Sequence, residues 1–476
     1  MTNTVRRMAK HSKAAVHRYL PDAFIFAVLL TIITYILAFL AVEPQSGTVT
    51  HARRLMIDGW YGGFWNLLAF AMQMTLILMT GYALAQTDAV DHLLTKIASA
   101  PSTERRAAAL VPIVAAIASF IHWGLGLVIG AIFARKVAES MREIDFPLIV
   151  AGAYSGFLVF HGGLAGSIPL LMNTEGNFLI EAGIISETLP TSQTIFTPMN
   201  LILVGVLTFI FLPLMFYLMY PGSDEEKTTI DPREFDTATD GGEPVSATAP
   251  VQTELSFADK LERSNLIAYS IGIAGLFAVG LYYAIPMVQD GVMPWNNLNL
   301  NIVNFFFLFA GLTLHGSPMA YIESMKEAVE NVWGIILQFP FYAGIMGLMG
   351  YAPEGSVNLA TQIAMGMINV SPDGTLPAVA FLTGGIVNFF VPSGGGEWSV
   401  IGETIIRAAE ASDTSVARAS MATAWGDAWT NMLQPFWAIP LLAISGLSVR
   451  DIMGYCVMIL IGSGLIIVVG VTFLPM

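Results

Sequence analysis

The sequence predicts an all-α polytopic membrane protein made of two inverted repeats, each with a re-entrant helical hairpin and a broken transmembrane helix. Three observations predict it. Of 476 residues, 55% are hydrophobic and 12% charged, and the mean hydropathy is +0.66. Soluble domains carry about 25% charged residues, so apolar runs of ~18 or more residues read as membrane spans. Helix-breaking Pro and Gly stand in the middle of several of these runs, at a depth where a water-facing loop is not available. The same interruptions recur about 270 positions later in the chain.

The elements follow in order. Arg6, Arg7, Lys10, Lys13 and Arg18 precede the first apolar run, Ala23–Val42, which is long enough to span and reads as a retained anchor. Full crossings are expected at 21–42, 62–86, 147–172, 198–220, 265–286, 299–315, 332–352, 419–447 and 451–474. Segments 108–136 and 376–406 are expected to return to the side they came from. The arm Leu376–Val391 would reach about 24 Å as a helix, short of the roughly 30 Å hydrocarbon core. It then meets Pro392 and Gly394-Gly395-Gly396.

Charge supports this topology. With the N-terminus in the cytoplasm, 17 of the 21 Lys and Arg lie inside, and only Arg53, Arg54, Arg407 and Arg418 lie outside with the C-terminus. That satisfies the positive-inside rule. The polar stretch 221–263 reads as a flexible cytoplasmic linker. It divides the chain into a first repeat with a bridging helix (1–220), the linker, and a bridging helix with the second repeat (264–476).

The repeats are visible as short matches at a common offset. Phe120–Gly126 lies over Phe390–Gly396 at 270, Ala153-Tyr154 over Ala424-Trp425 and Ile168-Pro169-Leu170 over Ile439-Pro440-Leu441 at 271. Upstream, Gly81-Tyr82-Ala83 lies over Gly350-Tyr351-Ala352 at 269 and Trp65 over Trp333 at 268. A slowly drifting offset is what duplication followed by small insertions leaves.

Several function classes are excluded or disfavoured. Cys456 is the only cysteine, which rules out internal disulfides, cysteine metal clusters and cysteine-pair redox chemistry. A net charge of −14 without a basic stripe disfavours nucleic acid. No P-loop and no metalloprotease spacing is present. No cofactor is expected and the chain does not read as an enzyme.

Paired interruptions in the two halves point to a midplane site. They are His122–Gly126 and His161–Ser167 in the first half, Pro392–Trp398 and Thr430–Pro435 in the second. Helix N-termini after such breaks present free N–H groups that hold a carboxylate without a buried cation. The expected substrate-binding positions are His122, Trp123, Gly124, Gly126, His161, Gly162, Gly163, Ser393, Gly394, Gly395, Gly396, Trp398, Asn431 and Gln434. Glu397, Asp427 and Asn388 are assigned to a coupling ion, H+ or Na+, because acids at membrane depth are costly and usually functional. His122 and His161 could titrate near neutrality or simply pack. Gln73 and Gln338 read as helix-packing amides.

Motifs spread over most of the chain carry a family resemblance. They include Trp65–Phe70, Trp123–Val128, Gln338–Ile345, Val391–Gly396, Gln434–Ala438 and Val449–Tyr455. With these the sequence resembles the short-chain fatty acid transporter family, AtoE type, of the ion transporter superfamily. The resemblance implies uptake of monocarboxylates such as butyrate or acetoacetate across a bacterial-type inner membrane. It also implies scaffold and transport regions, elevator-type alternating access and a homodimer. One position departs: the family often has a neutral or basic polar residue where this chain has Glu397. An acid there repels a carboxylate unless it is protonated or cation-paired. The competing readings are a dicarboxylate or amino-acid carrier of the same superfamily, an intramembrane enzyme and an anion channel.

Overall fold

A computed structural model describes residues 2–19, 23–45, 47–174, 177–181, 183–222, 227–229, 256–291, 293–294, 300–329, 332–412 and 414–476. Every described regular element is helical. Among the described residues, five helices are long and apolar enough to cross a membrane: Phe24–Ala41, Phe146–Met172, Pro198–Met219, Asn265–Gln289 and Val449–Phe473. Ala71–Leu84, Asn301–His315, Ile336–Gly350 and Leu376–Phe390 are shorter apolar helices. The expected crossing at 419–447 is two helices, Val416–Thr430 and Ala438–Ser445, joined by turns. Helices also form where loops were expected, at Asp88–Ala98, Pro318–Val329 and Leu359–Asn369. Most of the 221–263 linker lies outside the described residues.

Both hairpins are present as helix, tip, helix: Glu104–Ile121 with Trp123–Ser140, and Leu376–Phe390 with Gly394–Glu410. At the first tip a single extended residue, His122 (φ −157°, ψ 127°), ends one helix and caps the next; its Nδ1 accepts from Gly124 N at 3.2 Å. Ser393 (φ −153°, ψ 107°) does the same at the second tip, its Oγ accepting from Gly396 N at 3.4 Å. N-capping satisfies one of the free N–H groups that each helix start leaves. The equivalence His122/Ser393 lies at offset 271, one residue from the match of His122 to Pro392 read in the sequence.

Polarity is arranged inside out. An 18-residue window of the broken span 146–172 is 94% buried, whereas only 11% of a window of the same length in Asn265–Gln289 is. Leu266, Phe277 and Val288 cover the outside of that peripheral helix. The fully buried residues include His161, Asn200, Asn388, Glu397, Asp427, Asn431 and Gln434. The second hairpin packs backbone to backbone on the second broken span. A Cβ on Gly426 would lie 2.0 Å from Phe381 O and 2.8 Å from Gly385 N. Small residues permit this approach.

The ends of the elements are tied by polar side chains. Arg418 donates to Val471 O at 2.7 Å and Leu474 O at 2.8 Å, covering carbonyls at the end of the last helix. At the base of the first hairpin, Glu104 Oε2 accepts from Tyr220 Oη (2.6 Å) and Lys227 Nζ (2.7 Å). Partial burial works to raise the Glu104 carboxyl, but the hydrogen bonds from Lys227 and Tyr220 and the Lys227 charge outweigh it and hold it below the usual glutamate range.

Gly426→Val is expected to lose about 1–3 kcal/mol or more through overpacking. Gly366→Ala, with nothing within 4 Å of its Cβ position, should be neutral or gain up to about 1 kcal/mol. Thermal unfolding in detergent checks both, and equal effects would contradict the close crossing. A depressed folded pKa stabilises above the ordinary Glu range and is lost as pH falls through the folded value. Glu104→Gln should therefore cost about 0.5–1 kcal/mol at pH 7, with the difference vanishing in acid.

Candidate functional site

The two broken spans and the second hairpin converge on one buried polar cluster. The first broken span runs as an α-helix to Ser155 and tightens to a 3-10 helix over Gly156–Gly162. This places His161 against the second span, with Nε2 2.9 Å from Asp427 Oδ1 and both side chains fully buried. Gly394 abuts the same imidazole: a Cβ there would sit 2.4 Å from His161 Cε1. Only glycine lets the second tip seat on this ring. Glu397, in the first turn of the helix that begins at Gly394, lies against Asp427. Two carboxylates present only acceptors to each other, and both Glu397 oxygens and Asp427 Oδ2 lack a hydrogen-bond partner.

Asn388 organises the next layer. Its Nδ2 donates to Asp427 O (2.9 Å), Thr430 Oγ1 (3.0 Å) and Asn431 Oδ1 (3.0 Å). The backbone carbonyl fixes which end of the Asn388 amide faces this way, and that in turn fixes Asn431 with its Nδ2 free. Gln434 is fixed likewise, because its Oε1 accepts from Phe436 N at 2.6 Å and leaves Nε2 free. The Tyr342 hydroxyl lies next to Gln434 without closing a hydrogen bond to it. The break thus presents buried amide donors that nothing in the described residues accepts from.

An aromatic series leads from this cluster to the first tip. His161 packs on Phe160 (4.0 Å between centroids) and Phe160 on Phe157 (4.4 Å). Trp437 then bridges Phe157 (5.6 Å) and Trp123 (5.0 Å), which stacks on His122.

The remaining expected residues have structural contacts. Gly163 packs on Phe120, and Gly126 on Ser119 of its own hairpin. Gly124 N is spent on the cap at His122. Gly162 lies under Asn200, whose Nδ2 donates to Gly162 O (2.8 Å) while its Oδ1 accepts from Trp425 Nε1 (3.1 Å). Trp398 turns into the core, donating to Met172 Sδ at 3.2 Å. Gly395 and Gly396 stay half-buried at the tip, and Gly395 has nothing within 4 Å of its Cβ position. Gln73 bonds Asn301 Oδ1 across two helices (2.7 Å), as a packing amide does. Among the described residues no group of three His, Cys, Asp or Glu could hold a metal ion.

Sequence reasoning missed Tyr154, Asn200, Tyr342 and Trp437. Tyr154 Oη donates to Asn431 O at 2.7 Å and so closes the second break from the first repeat. Its alignment with Trp425 was the available signal. Tyr342 and Trp437 lie inside quoted family motifs, and Asn200 is a lone amide near the start of an apolar helix.

Two cavities lie along the hairpins. One of about 660 Å³ is lined by Asn358, Thr361, Ser399, Glu403 and Arg407 along the second hairpin. One of about 610 Å³ lies at the base of the first hairpin, around Glu104, Arg142 and Lys227. Neither lining reaches His161, Asp427 or Glu397.

A family model described as short chain fatty acid transporter matches residues 4–474. The chain belongs to the short-chain fatty acid transporter family. A relative from Escherichia coli K12, named for short-chain fatty acid transport, is 40% identical over 468 residues, 98% of this chain and 99% of the relative. A second, from Haemophilus influenzae Rd and named likewise, is 38% identical over 481 residues, 99% and 100% of the two chains. The solved Alcanivorax borkumensis YdaH transporter aligns with TM-score 0.42 and 15% identity over 94% of this chain and 98% of that one, a likeness too distant to bear on the site. Membership in this transporter family, with the apolar helices above, makes the chain an integral membrane protein.

Asn388→Asp puts a new acceptor against Asp427 O and Asn431 Oδ1. It should destabilise the chain more than Asn388→Leu, which is expected to lose about 1–3 kcal/mol. Comparing their unfolding temperatures decides it, and the reverse order would contradict the Asn388 network.

Proposed function

We propose that the chain is a secondary carrier of short-chain monocarboxylates of the butyrate and acetoacetate class, driven by a proton or sodium gradient. The observation that carries this reading is the pair of free, fully buried amide donors, Asn431 Nδ2 and Gln434 Nε2, beside an aromatic wall. Donors without acceptors fit a carboxylate, and Trp123, Phe157 and Trp437 fit a short alkyl tail. No Lys or Arg occurs between 143 and 226, between 327 and 406, or between 419 and 449, so neutral donors must hold the anion. The family relationship supports the substrate class.

In this reading the hairpins at 104–140 and 376–410 are re-entrant and inverted, one from each side of a bacterial-type cytoplasmic membrane with the N-terminus inside. The domains are 1–220, the linker 221–263, and 264–476. Alternating access is elevator-type, and the carrier works as a homodimer. An amino-acid carrier is the rival that the Glu397–Asp427 pair favours, since two acids could hold an ammonium group.

Uptake of labelled butyrate into proteoliposomes tests the reading, with pH and sodium gradients imposed separately. Protein-free vesicles subtract the leak of the uncharged acid. Protein-dependent accumulation is expected, and exchange with amino acids but not butyrate would replace it by the rival. Ser393→Ala should raise KM about 2–10-fold through one lost donor. Because Ser393 caps its helix it should also cost about 1 kcal/mol of stability.

A further inference from the structure

We propose that the coupling ion is a proton, carried by His161, Asp427 and Glu397 acting as one unit. This rests on the carboxylate-carrier reading and names its coupling ion. The three side chains come from the first broken span, the second broken span and the second hairpin, and all are fully buried. One contact is satisfied, His161 Nε2 to Asp427 Oδ1. His161 Nδ1, Asp427 Oδ2 and both Glu397 oxygens have no partner.

Among the described residues, no cation from a surrounding element neutralises them. The first hairpin brings His122 to its tip and keeps Glu104, Arg105, Arg106, Arg135, Lys136 and Glu139 toward its far ends. The first broken span offers Tyr154, and helix Trp333–Gly350 offers Tyr342. The second hairpin has Glu403, Arg407 and Glu410, but more than one and a half turns beyond Glu397. Arg418 is occupied by carbonyls of the last helix, which carries Arg450, Asp451, Tyr455 and Cys456 in its first two turns.

Charge bookkeeping then sets the proton count. With a neutral imidazole and both carboxyls ionised, the cluster carries two negative charges away from water, where ions are strongly penalised. Two protons make it neutral, for example an imidazolium beside the Asp427 carboxylate with Glu397 as the acid. A bound monocarboxylate adds one negative charge, and one further proton offsets it. That proton forms an O–H or N–H bond when the cluster faces water on one side and returns to water on the other. The substrate is chemically unchanged, and net transfer is one anion with one proton.

The neighbouring oxygens favour H+ over Na+. Asp427 O, Thr430 Oγ1 and Asn431 Oδ1 are all turned toward the Asn388 amide donor, and Asp427 Oδ1 faces a ring nitrogen. Three open oxygens remain, Asp427 Oδ2 and both of Glu397, fewer than the roughly six a hard cation gathers; a proton needs an acceptor or two.

Calorimetric titration of butyrate into the purified full-length protein, at pH 7 in buffers of different ionisation heat, counts protons directly, because butyrate itself is already anionic there. About one proton taken up per butyrate is expected, with affinity weakening about tenfold per pH unit around neutrality and no difference between Na+ and K+ media. Glu397→Gln and Asp427→Asn should flatten that pH dependence. Infrared spectra of the unliganded protein supply a second reading: the C=O stretch of a buried carboxylic acid, lost in Glu397→Gln or Asp427→Asn. Butyrate binding that requires Na+ and takes up no proton would overturn the proposal. So would wild-type spectra with no such band, whatever the variants do. Absence of butyrate binding in every medium, with the band present, would instead sink the monocarboxylate reading.

Discussion

A helix interrupted inside an apolar slab exposes carbonyls that no water can reach, and the architecture follows from where those carbonyls find donors. Phe120 O receives Leu164 N, Gly162 O receives Asn200, Asp427 O receives Asn388, and Asn431 O receives Tyr154. In every case the donor belongs to a different element from the acceptor. A break is therefore stable only once its partners have assembled around it. That is why the most interrupted elements lie at the centre and the uninterrupted, apolar ones at the periphery.

This arrangement explains what the sequence reveals. Breaks are legible because Pro and Gly in an apolar run are locally conspicuous, and both hairpin tips and both broken spans could be read that way. The donors that close the breaks are not. Tyr154, Asn200 and Tyr342 are single polar groups on otherwise ordinary apolar helices, and their meaning depends on what lies across from them. Trp398 shows the complementary effect: proximity to the tip in sequence does not fix where its ring points, and it bonds Met172 in the core. The tip register moved by one residue because side-chain capping, not the glycine pattern, decides where a helix begins. The helices at 88–98 and 318–329 were hidden because their polar faces resemble loop composition, and the apolar helix at 359–369, only 11 residues long, is too short to read as a crossing.

The cluster joins two kinds of incompleteness that lie side by side. Asn431 and Gln434 present donors without acceptors, and Glu397 and Asp427 present acceptors without donors. The Asn388 amide keeps these sets apart by using the intervening oxygens for itself. A site that left only one set open would favour either an anion or a cation; this one leaves both sets open, as the proposed pairing of an anion with a proton requires.

The tie between Arg418 and the last helix has a mechanical meaning. The guanidinium joins the second broken span to the carbonyls of Val471 and Leu474, and Met199 N joins the bridging helix to Pro475 O at 2.8 Å. Asn200, one residue further along, reaches Gly162 and Trp425. The last helix, the bridging helix and both broken spans are thereby bolted at shared points, so displacing one drags the others. In the carrier cycle proposed above they would move as a single body, with any sliding surface elsewhere in the molecule.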